Sequence, residues 1–396
     1  MAKADASHGP NTRLGHGGND PMDYYGFVNP PVVRASTVLF LDARTLIAED
    51  QKYNYGTHGT PTTDALCEAI SGLEGAAGTV LVPSGLAAIS VPLLTFLSAG
   101  DHVLITDSVY GPTRRFANEV LPRMGVTVEY FDPLLGADIA RHLRPETRVV
   151  FLETPGSNTF DMQDIPAIAA ICRPRGIVTM VDNTWATPLY YRPLEQGVDI
   201  VIHAATKYLG GHSDVLMGTV STNAQLWPRL YRGHMVLGMC VGSDDAYLIL
   251  RGLRGLGRRL AVHQESTLAV ARWLEGRDEV KRVYHPALET DPGHAIWKRD
   301  FSGAASLFSF SLRDGVDAHR LLNALSVFGL GYSYGGYESL AAKVNLADRT
   351  LKRADAEDTL IRLHIGLEDV EDLIADLERA LIAARVAAPD DLPAAS

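Results

Sequence analysis

The chain has 396 residues and a formal net charge of −11, and 46% of its residues are hydrophobic. The acidic balance disfavours nucleic acid and anionic membranes as main partners, and the composition is typical of a globular protein with a large core. The three cysteines form no CxxC pair, and the N-terminal residues contain no apolar segment of the kind a secretory signal needs. We therefore expect a cytoplasmic protein without a disulfide framework.

The predicted elements fall into three segments along the chain. Residues 1–60 are rich in Gly, Pro, Asn and Asp, which predicts an extended N-terminal arm with one short β-like run at 31–41. Residues 61–254 alternate short β-branched runs with helical stretches, a pattern that predicts βαβ units and a mostly parallel sheet. Residues 255–396 predict a smaller α+β domain, and residues 244–276 predict a long helix broken by glycines.

In such a sheet, ligands bind beyond the carboxyl ends of the strands, so residues just after each predicted strand are candidates. Ser84, Gly85 and Leu86 follow the first strand and open a helix. Their backbone N–H groups could bind an anion, or Ser84 could simply cap the helix. The sequence has no GxGxxG, GxxxxGK[ST] or GxSxG motif, which disfavours the usual dinucleotide, P-loop and α/β-hydrolase sites.

Three further residues follow later strands. Tyr110 could stack on a planar ligand or only cover the sheet edge, and Asp182 could cap a turn or pair with a cationic ligand. Lys207 follows the apolar run at 198–206 and precedes a Gly-Gly loop. A lysine here is usually a solvated charge, but a desolvated one becomes a nucleophile that can form a Schiff base. Successive parallel strands would bring Asp182 and Lys207 to one edge of the sheet.

These candidates together describe one ligand, which is planar and carries an anionic end, a ring nitrogen and an aldehyde. Pyridoxal phosphate has all four features, with Asp182 against the ring nitrogen and Lys207 on the aldehyde. Arg362 interrupts an apolar strand and could be a buried carboxylate binder or a snorkelling edge residue. The 13 histidines form no HExxH motif or tight cluster, so we expect no metal site.

The stretch at 182–214 resembles the lysine-site motif of the pyridoxal-phosphate enzymes of cysteine and methionine metabolism, and the resemblance runs from about Leu14 to Ala380. It implies the aspartate-aminotransferase type I fold, an α/β architecture with a mostly parallel seven-stranded-type sheet that has helices on both faces. It also implies pyridoxal 5'-phosphate as cofactor and a homotetramer built from active dimers.

Carried over by position, the resemblance implies a Schiff-base role for Lys207, a ring-nitrogen partner in Asp182 and ring stacking by Tyr110. Phosphate-binding positions would be Gly85, Leu86, Thr206 and the arm residue Tyr55, which reaches the neighbouring subunit. Arg362 would bind the substrate α-carboxylate, with Ser333 beside it.

Four stretches resemble the β-lyase branch of the family, which splits the β-carbon–sulfur bond of L-cystathionine in methionine biosynthesis. One of them contains Gly156 and Ser157, where other branches tend to carry a Ser/Ala-Asn-Pro run. Two departures concern the site: Thr57 stands where an arginine is expected near the phosphate, which His58 could partly replace, and Tyr334 stands where some members have tryptophan.

The alternatives are a γ-lyase, a cystathionine γ-synthase, a cysteine desulfhydrase or a non-catalytic scaffold that retains the fold.

Overall fold

The computed structural model describes residues 7–18, 20–351 and 359–385. Its larger sheet has seven strands in the order β1-β7-β6-β5-β4-β2-β3, and all neighbours are parallel except the two that β7 pairs. The mostly parallel sheet is therefore confirmed. The strands are β1 Gly78–Val82, β2 His102–Thr106, β3 Thr127–Phe131, β4 Thr147–Glu153, β5 Val178–Asp182, β6 Ile200–Ala204 and β7 Gly218–Thr222.

Helices cover both faces of this sheet. The helices of this part of the chain are α1 Pro10–His16, α2 Ala43–Ala48, α3 Pro61–Glu74, α4 Gly85–Phe96, α5 Gly111–Glu119, α6 Ile165–Cys172, α7 Thr187–Tyr190, α8 Trp227–Val236 and α9 Ser243–Glu275, of which α2 lies in the arm and has no buried residue. Strand β4 shows why two layers form: Val150 and Leu152 belong to one apolar core cluster, whereas Val149 and Phe151 belong to another. Successive strand side chains point to opposite faces, so a run of four apolar residues supplies two cores.

The C-terminal part of the chain forms a second sheet of five strands, in the order β10-β11-β12-β9-β8. The strands are β8 Val280–Tyr284, β9 Leu307–Leu312, β10 Gly329–Leu330, β11 Leu340–Asn345 and β12 Thr359–His364. The helices are α10 His294–Asp300, α11 Ala318–Ala324 and α12 Val370–Ala384. Apolar residues of α9, α12 and this sheet share a third core cluster, which gives the expected α+β arrangement.

The glycines of α9 do not break the helix, contrary to the sequence prediction, because α9 is continuous over 33 residues. A Cβ atom at Gly252 would lie 2.2 Å from the carbonyl oxygen of Gly210 and 2.6 Å from that of Leu209. Glycine here lets the helix approach the loop that follows Lys207. The predicted boundary at residue 254 falls inside α9, and the three-segment division of the chain stays a prediction.

The N-terminal arm differs from expectation in its local structure. The predicted β-like run at 31–41 is wrong, since the described arm forms only an isolated bridge between Thr37 and Tyr55, besides α1, α2 and short 3₁₀ turns. Leu39 and Leu41 are 86% and 91% exposed, so no strand pairs with them and no core covers them. Within the described ranges, no helix combines the length and apolarity that crossing a membrane requires.

Candidate active site

Two neighbouring parallel strands bring Asp182 and Lys207 to the same edge of the large sheet. Asp182 is the last residue of β5 and pairs with Ile202 of β6, and Lys207 lies three residues beyond the end of β6. The carboxyl ends of parallel strands meet at one edge, where a crevice can hold a ligand. The two residues that the sequence placed together therefore do lie together.

The Lys207 amine is partly buried between the edge of the large sheet and the loop that precedes β11. Its Nζ donates a hydrogen bond to Ser333 Oγ at 2.6 Å and lies 4.8 Å from the centroid of the Tyr334 ring. Burial and the positive charge of Arg362 together lower the pKa of Lys207 to about 8, and the charge of Asp182 opposes both effects. Desolvation disfavours the ammonium form, so a useful fraction of this amine is neutral and nucleophilic near physiological pH.

Asp182 presents a half-buried carboxylate beside the amine. Its Oδ1 accepts the backbone N–H of Thr184 at 3.0 Å. Burial raises the pKa of Asp182. The hydrogen bonds from Thr184 and the charges of His203 and Lys207 oppose this rise. His203 is itself buried and lies 2.5 Å from Glu74 Oε1, so it packs inside the protein rather than facing a ligand. The arrangement suits a cationic partner for Asp182.

Glu153, a residue that the sequence analysis did not single out, lies beside Asp182. It ends β4 and pairs with Asp182 in the register of β4 and β5, and its Oε2 accepts the backbone N–H of Tyr110 at 2.7 Å. Burial and the neighbouring charge of Asp182 raise the pKa of Glu153 well above its usual range. The signal was present, since Glu153 is a polar residue at a strand end, as Asp182 is.

Tyr110 precedes α5 at the same edge of the sheet, and 44% of it is exposed. Burial of the phenol and the charges of Glu153 and Asp182 raise the pKa of Tyr110, whereas Arg362 lowers it. The side chain is therefore a neutral phenol whose ring lies near Asp182 and Arg362. Stacking on a planar ligand stays a prediction that this position supports.

The start of α4 supplies backbone donors next to Lys207. Ser84 caps the helix, because its Oγ accepts the N–H of Ala87 at 3.1 Å and its carbonyl accepts that of Ala88. A Cβ atom at Gly85 would lie 2.6 Å from the Cβ of Ala204, so glycine allows the helix to abut the end of β6. The capping role of Ser84 and an anion site at Gly85 and Leu86 are thus compatible, since first-turn amides point out of a helix.

Thr206 lies in the turn before Lys207 with its hydroxyl already engaged. Its Oγ1 donates to the carbonyl of Met217 at 3.2 Å and accepts the N–H of Met217 at 2.9 Å. These bonds fix the loop that carries Lys207. A phosphate contact by Thr206 stays a prediction, and it requires the hydroxyl to turn away from Met217.

Arg362 enters the site from the C-terminal sheet. It lies on β12, which is an inner strand between β11 and β9, so the snorkelling edge alternative does not hold. Burial lowers the pKa of Arg362, and the tyrosines 334, 110 and 332 oppose that shift. A guanidinium remains charged at such a position, where it can pair with a carboxylate in two parallel hydrogen bonds.

Ser333 and Tyr334 lie beside the amine, whereas a substrate contact by Ser157 stays a prediction. Ser333 has a φ of +103°, which is unusual for a residue other than glycine. Burial and the charge of Asp182 raise the pKa of Tyr334 well above its usual range, so the phenol is neutral beside Lys207. Ser157 lies in the loop after β4, where its N–H donates to the carbonyl of Ser108 at 2.7 Å.

Two arginines that the sequence did not reveal tie the C-terminal domain to this edge. Arg349 donates to the carbonyls of Asp107 and Ser157, at 2.5 and 2.6 Å. Arg114 donates to Asp107 Oδ1 at 2.7 Å and to Thr350 Oγ1 at 2.8 Å. Only the tertiary structure brings residues so distant in sequence together, and their contacts fix the spacing between Arg362 and the strand ends.

The arm residues Tyr55, Thr57 and His58 lie elsewhere. Thr57 and His58 line a separate cavity of about 490 Å³ with Trp227, and its lining includes neither Lys207 nor Asp182. Tyr55 is 50% exposed. The structure of this single chain thus does not bring the three arm residues to its own candidate site.

The residues present fit pyridoxal phosphate, as the glycine contact at Gly85 and the lowered pKa of Lys207 show. If the cofactor is bound, the first-turn amides of α4 would hold its phosphate, Asp182 would pair with its ring nitrogen, and Lys207 would bond to its aldehyde. In the ranges that the structure describes, no group of three or more His, Cys, Asp or Glu residues could hold a metal ion. The fold and site together define a pyridoxal-phosphate-dependent enzyme.

Comparisons with known proteins agree with this class. The family model for the Cys/Met metabolism PLP-dependent enzymes matches residues 11–382, and the chain belongs to that family. A protein of Rhizobium johnstonii is 60% identical over 95% of this chain and 96% of its own length. The cystathionine beta-lyase MetC of Escherichia coli is 45% identical over 93% of this chain and 97% of its own length.

A solved structure extends the comparison to the fold. Cystathionine gamma-lyase from Lactobacillus plantarum, complexed with L-serine, superposes with a TM-score of 0.90 at 31% identity and covers 95% of this chain and 99% of its own. The expected fold class and cofactor are therefore confirmed. A shared fold does not by itself distinguish β- from γ-elimination, because the chemistry depends on the residues of the site.

Proposed function

We propose that this chain is a carbon–sulfur lyase that splits L-cystathionine, with water, into homocysteine, pyruvate and ammonia. The observation that carries the proposal is the Lys207 amine, which has a lowered pKa and lies between an anionic and a cationic group. The high identity to the cystathionine beta-lyase of Escherichia coli supports β-elimination over the alternatives in the same family.

Each residue of the site has a proposed role in this reaction. When bound, pyridoxal phosphate supplies an electron-withdrawing ring that stabilises negative charge at the substrate Cα. Asp182 keeps the ring nitrogen protonated, and Tyr110 holds the ring plane. Arg362 binds the α-carboxylate, which aligns the Cα–H bond with the Lys207 amine.

Lys207 in its neutral form removes the Cα proton as a general base. The electron pair released at Cα then expels the sulfur from Cβ, and Lys207 or Tyr110 returns a proton to the leaving thiolate. The remaining three-carbon fragment takes up water to give pyruvate and ammonia, so atoms and charges balance. Ser333 stays within 2.6 Å of the amine and orients it.

The exposed apolar arm supports a proposed homotetramer in which arm residues reach a neighbouring subunit. Tyr25, Phe27, Leu39, Leu41 and Ile47 are all at least 70% exposed, which is unusual for so many large apolar side chains in one segment. Tyr55 and His58 would then serve the partner's phosphate, with Ser84, Gly85, Leu86 and Thr206 of that partner's own chain. We place this assembly in the cytoplasm.

Product analysis tests the proposed reaction. Purified protein supplied with pyridoxal phosphate and L-cystathionine should release pyruvate and homocysteine in equal amounts. Formation of 2-oxobutyrate would instead indicate γ-elimination, and pyruvate from cysteine alone would indicate a desulfhydrase. No keto acid from either substrate, in protein that binds the cofactor, would contradict the proposal.

A further inference from the structure

A chain of buried polar side chains lies behind Lys207. The Tyr208 hydroxyl lies 2.8 Å from Ser306 Oγ, which in turn lies 2.8 Å from His364 Nδ1. Tyr208 adjoins Lys207 in sequence, and His364 lies two residues beyond Arg362 on β12. All three members are at most 1% exposed, so water does not compete for these hydrogen bonds.

The direction of these hydrogen bonds follows from the contact that His364 makes at the end of the network opposite Tyr208. His364 Nε2 lies 3.1 Å from the carbonyl oxygen of Gly336, which can only accept a proton. Nε2 therefore carries the hydrogen, and Nδ1 is the acceptor. The Ser306 hydroxyl donates to Nδ1, and the Tyr208 hydroxyl donates to Ser306.

The imidazole stays neutral and therefore carries a hydrogen on one nitrogen only. Burial and the charges of His263, Lys207 and Arg362 together lower the pKa of His364 to about 3. One donor and one acceptor nitrogen let the ring bond to Gly336 and to Ser306 at the same time.

The same imidazole holds the turn at residues 333–336, which covers the Lys207 amine. The N–H of Gly335 lies 3.2 Å from His364 Nε2 and 3.4 Å from Nδ1, so it points at the imidazole ring. A Cβ atom at Gly335 would lie 2.6 Å from the backbone nitrogen of Tyr208 and 2.8 Å from the carbonyl carbon of Lys207. The turn is therefore packed directly on the backbone of the reactive lysine.

Ser333 occupies this turn at a positive φ, a conformation that a residue other than glycine keeps only when its surroundings dictate it. We propose that His364 is a positioning residue, which locks the turn through Gly335 and Gly336 and so keeps the Ser333 hydroxyl on the Lys207 amine. Only the kinetic consequences of this inference rest on the proposed lyase function. The geometry of the lysine and its bound cofactor is independent of the substrate.

The test compares three variants of the holoenzyme. His364→Leu removes the network, and His364→Gln restores it, because a side-chain amide holds an acceptor and a donor on one carbon, as the imidazole does. His263→Leu is the matched control: His263 is equally buried, its ring lies 5.5 Å from that of His364, and its Nδ1 bonds to the Ile365 carbonyl rather than to the turn.

Two measurements distinguish a loss of Lys207 positioning from a loss of folding stability. In His364→Leu, the visible circular dichroism of the bound cofactor per unit absorbance should fall by about half or more, and kcat with L-cystathionine should fall about tenfold. KM should stay within about twofold, since Arg362 is retained. His364→Gln should recover both signals, and His263→Leu should lower the thermal midpoint without changing either.

Equal losses in His263→Leu and His364→Leu would overturn the inference, as would an unchanged dichroism in His364→Leu. If His364→Leu does not fold, Ser306→Ala breaks the same network with the loss of one oxygen atom and should give the same pattern. Absence of pyruvate from the unmodified enzyme would defeat the proposed function, whereas the dichroism series would still decide the role of His364.

Discussion

Two concave regions of the molecule, the candidate active site around Lys207 and the cavity beneath the arm, differ in the side chains that line them. The region around Lys207 gathers an amine, carboxylates, an arginine and phenols from both sheets, and several of their pKa values are shifted. The cavity beneath the arm has about 490 Å³ and is lined in part by Trp227, Tyr231 and Met239, with Lys52 paired to Asp64 at 2.8 Å. Its volume is ample, yet its charged groups neutralise each other.

The comparison shows that a reactive site is marked by charged groups of opposite sign that lie close together, and not by the volume of the cavity. Around Lys207, burial and the charge of Arg362 lower the pKa of the amine, and the amine becomes reactive as a result. In the cavity under the arm, the Lys52–Asp64 pair raises the pKa of Lys52, which keeps that amine protonated and unreactive. The half-buried Lys207 and the exposed Lys52 therefore receive opposite chemical properties from their surroundings.

Removal of the reactive amine is expected to have the largest effect. Lys207→Ala should lower pyruvate release about 10⁴-fold or more, because general base and cofactor attachment are lost together. Lys343→Ala, at an exposed lysine on β11, is the control and should keep full activity. Substantial pyruvate release by Lys207→Ala would contradict the assignment.

Neutralising the carboxylate beside the amine should come next. Asp182→Asn should lower kcat by about 10²–10³-fold, since the group that stabilises a cationic ring nitrogen is lost. The exposed Asp314→Asn serves as the control. The measurement is the steady-state rate at saturating cofactor, and a rate within threefold of the unmodified enzyme would show that Asp182 has no electrostatic role.

The reactivity of Lys207 should depend on pH as its lowered pKa requires. The rate at which cofactor-free protein bonds to pyridoxal phosphate should rise with pH and level off above about pH 8, whereas an ordinary lysine titrates near 10.5. Because Arg362 lowers the pKa of this amine, Arg362→Leu should move the midpoint to higher pH. Stopped-flow absorbance measures both, and a midpoint near 10 in the unmodified protein would exclude a desolvated amine.

Substitutions of Glu153 should have a smaller effect, and they should show whether the protonated or the ionised carboxyl is required. Its raised pKa means that the carboxyl is protonated in the folded protein at pH values where it would be ionised in the unfolded chain. Glu153→Gln, which still accepts the Tyr110 N–H, should keep kcat within about threefold, and Glu153→Leu should lose about tenfold. Equal losses in both variants would show that an ionised Glu153 is required.

The Trp227 side of the cavity beneath the arm should matter for stability alone. The Trp227 ring packs so closely on Gly78 that a Cβ atom there would lie 2.5 Å from it. Trp227→Ala should lower the thermal midpoint by several degrees through lost packing and leave kcat/KM within about twofold. A large loss of activity without a change in midpoint would indicate a catalytic contribution from this region.

Much of the fold and of the candidate site was accessible from sequence because its signals are local. The apolar runs of β4, β5 and β6 predict buried parallel strands, and a polar residue directly after such a run lies at the edge where ligands bind. That rule identifies Asp182 and Lys207, and it would also have identified Glu153. The arm was harder, since an apolar run such as 31–41 predicts a strand only if another strand is present to pair with it.

By itself, the sequence determined the order of the elements, the parallel sheet and the lysine, aspartate and tyrosine at its edge, because these depend on periodicity and strand-end position. The tertiary structure alone decided which distant groups touch them: Ser333 on the amine, Arg349 across two strand-end loops, and His364 behind the turn. The Ser333 and Arg349 contacts join residues more than 100 positions apart, and His364 contacts a turn 28 positions before it. Burial where these segments meet shifts the pKa values of Lys207 and His364. No local pattern in the chain encodes that desolvation.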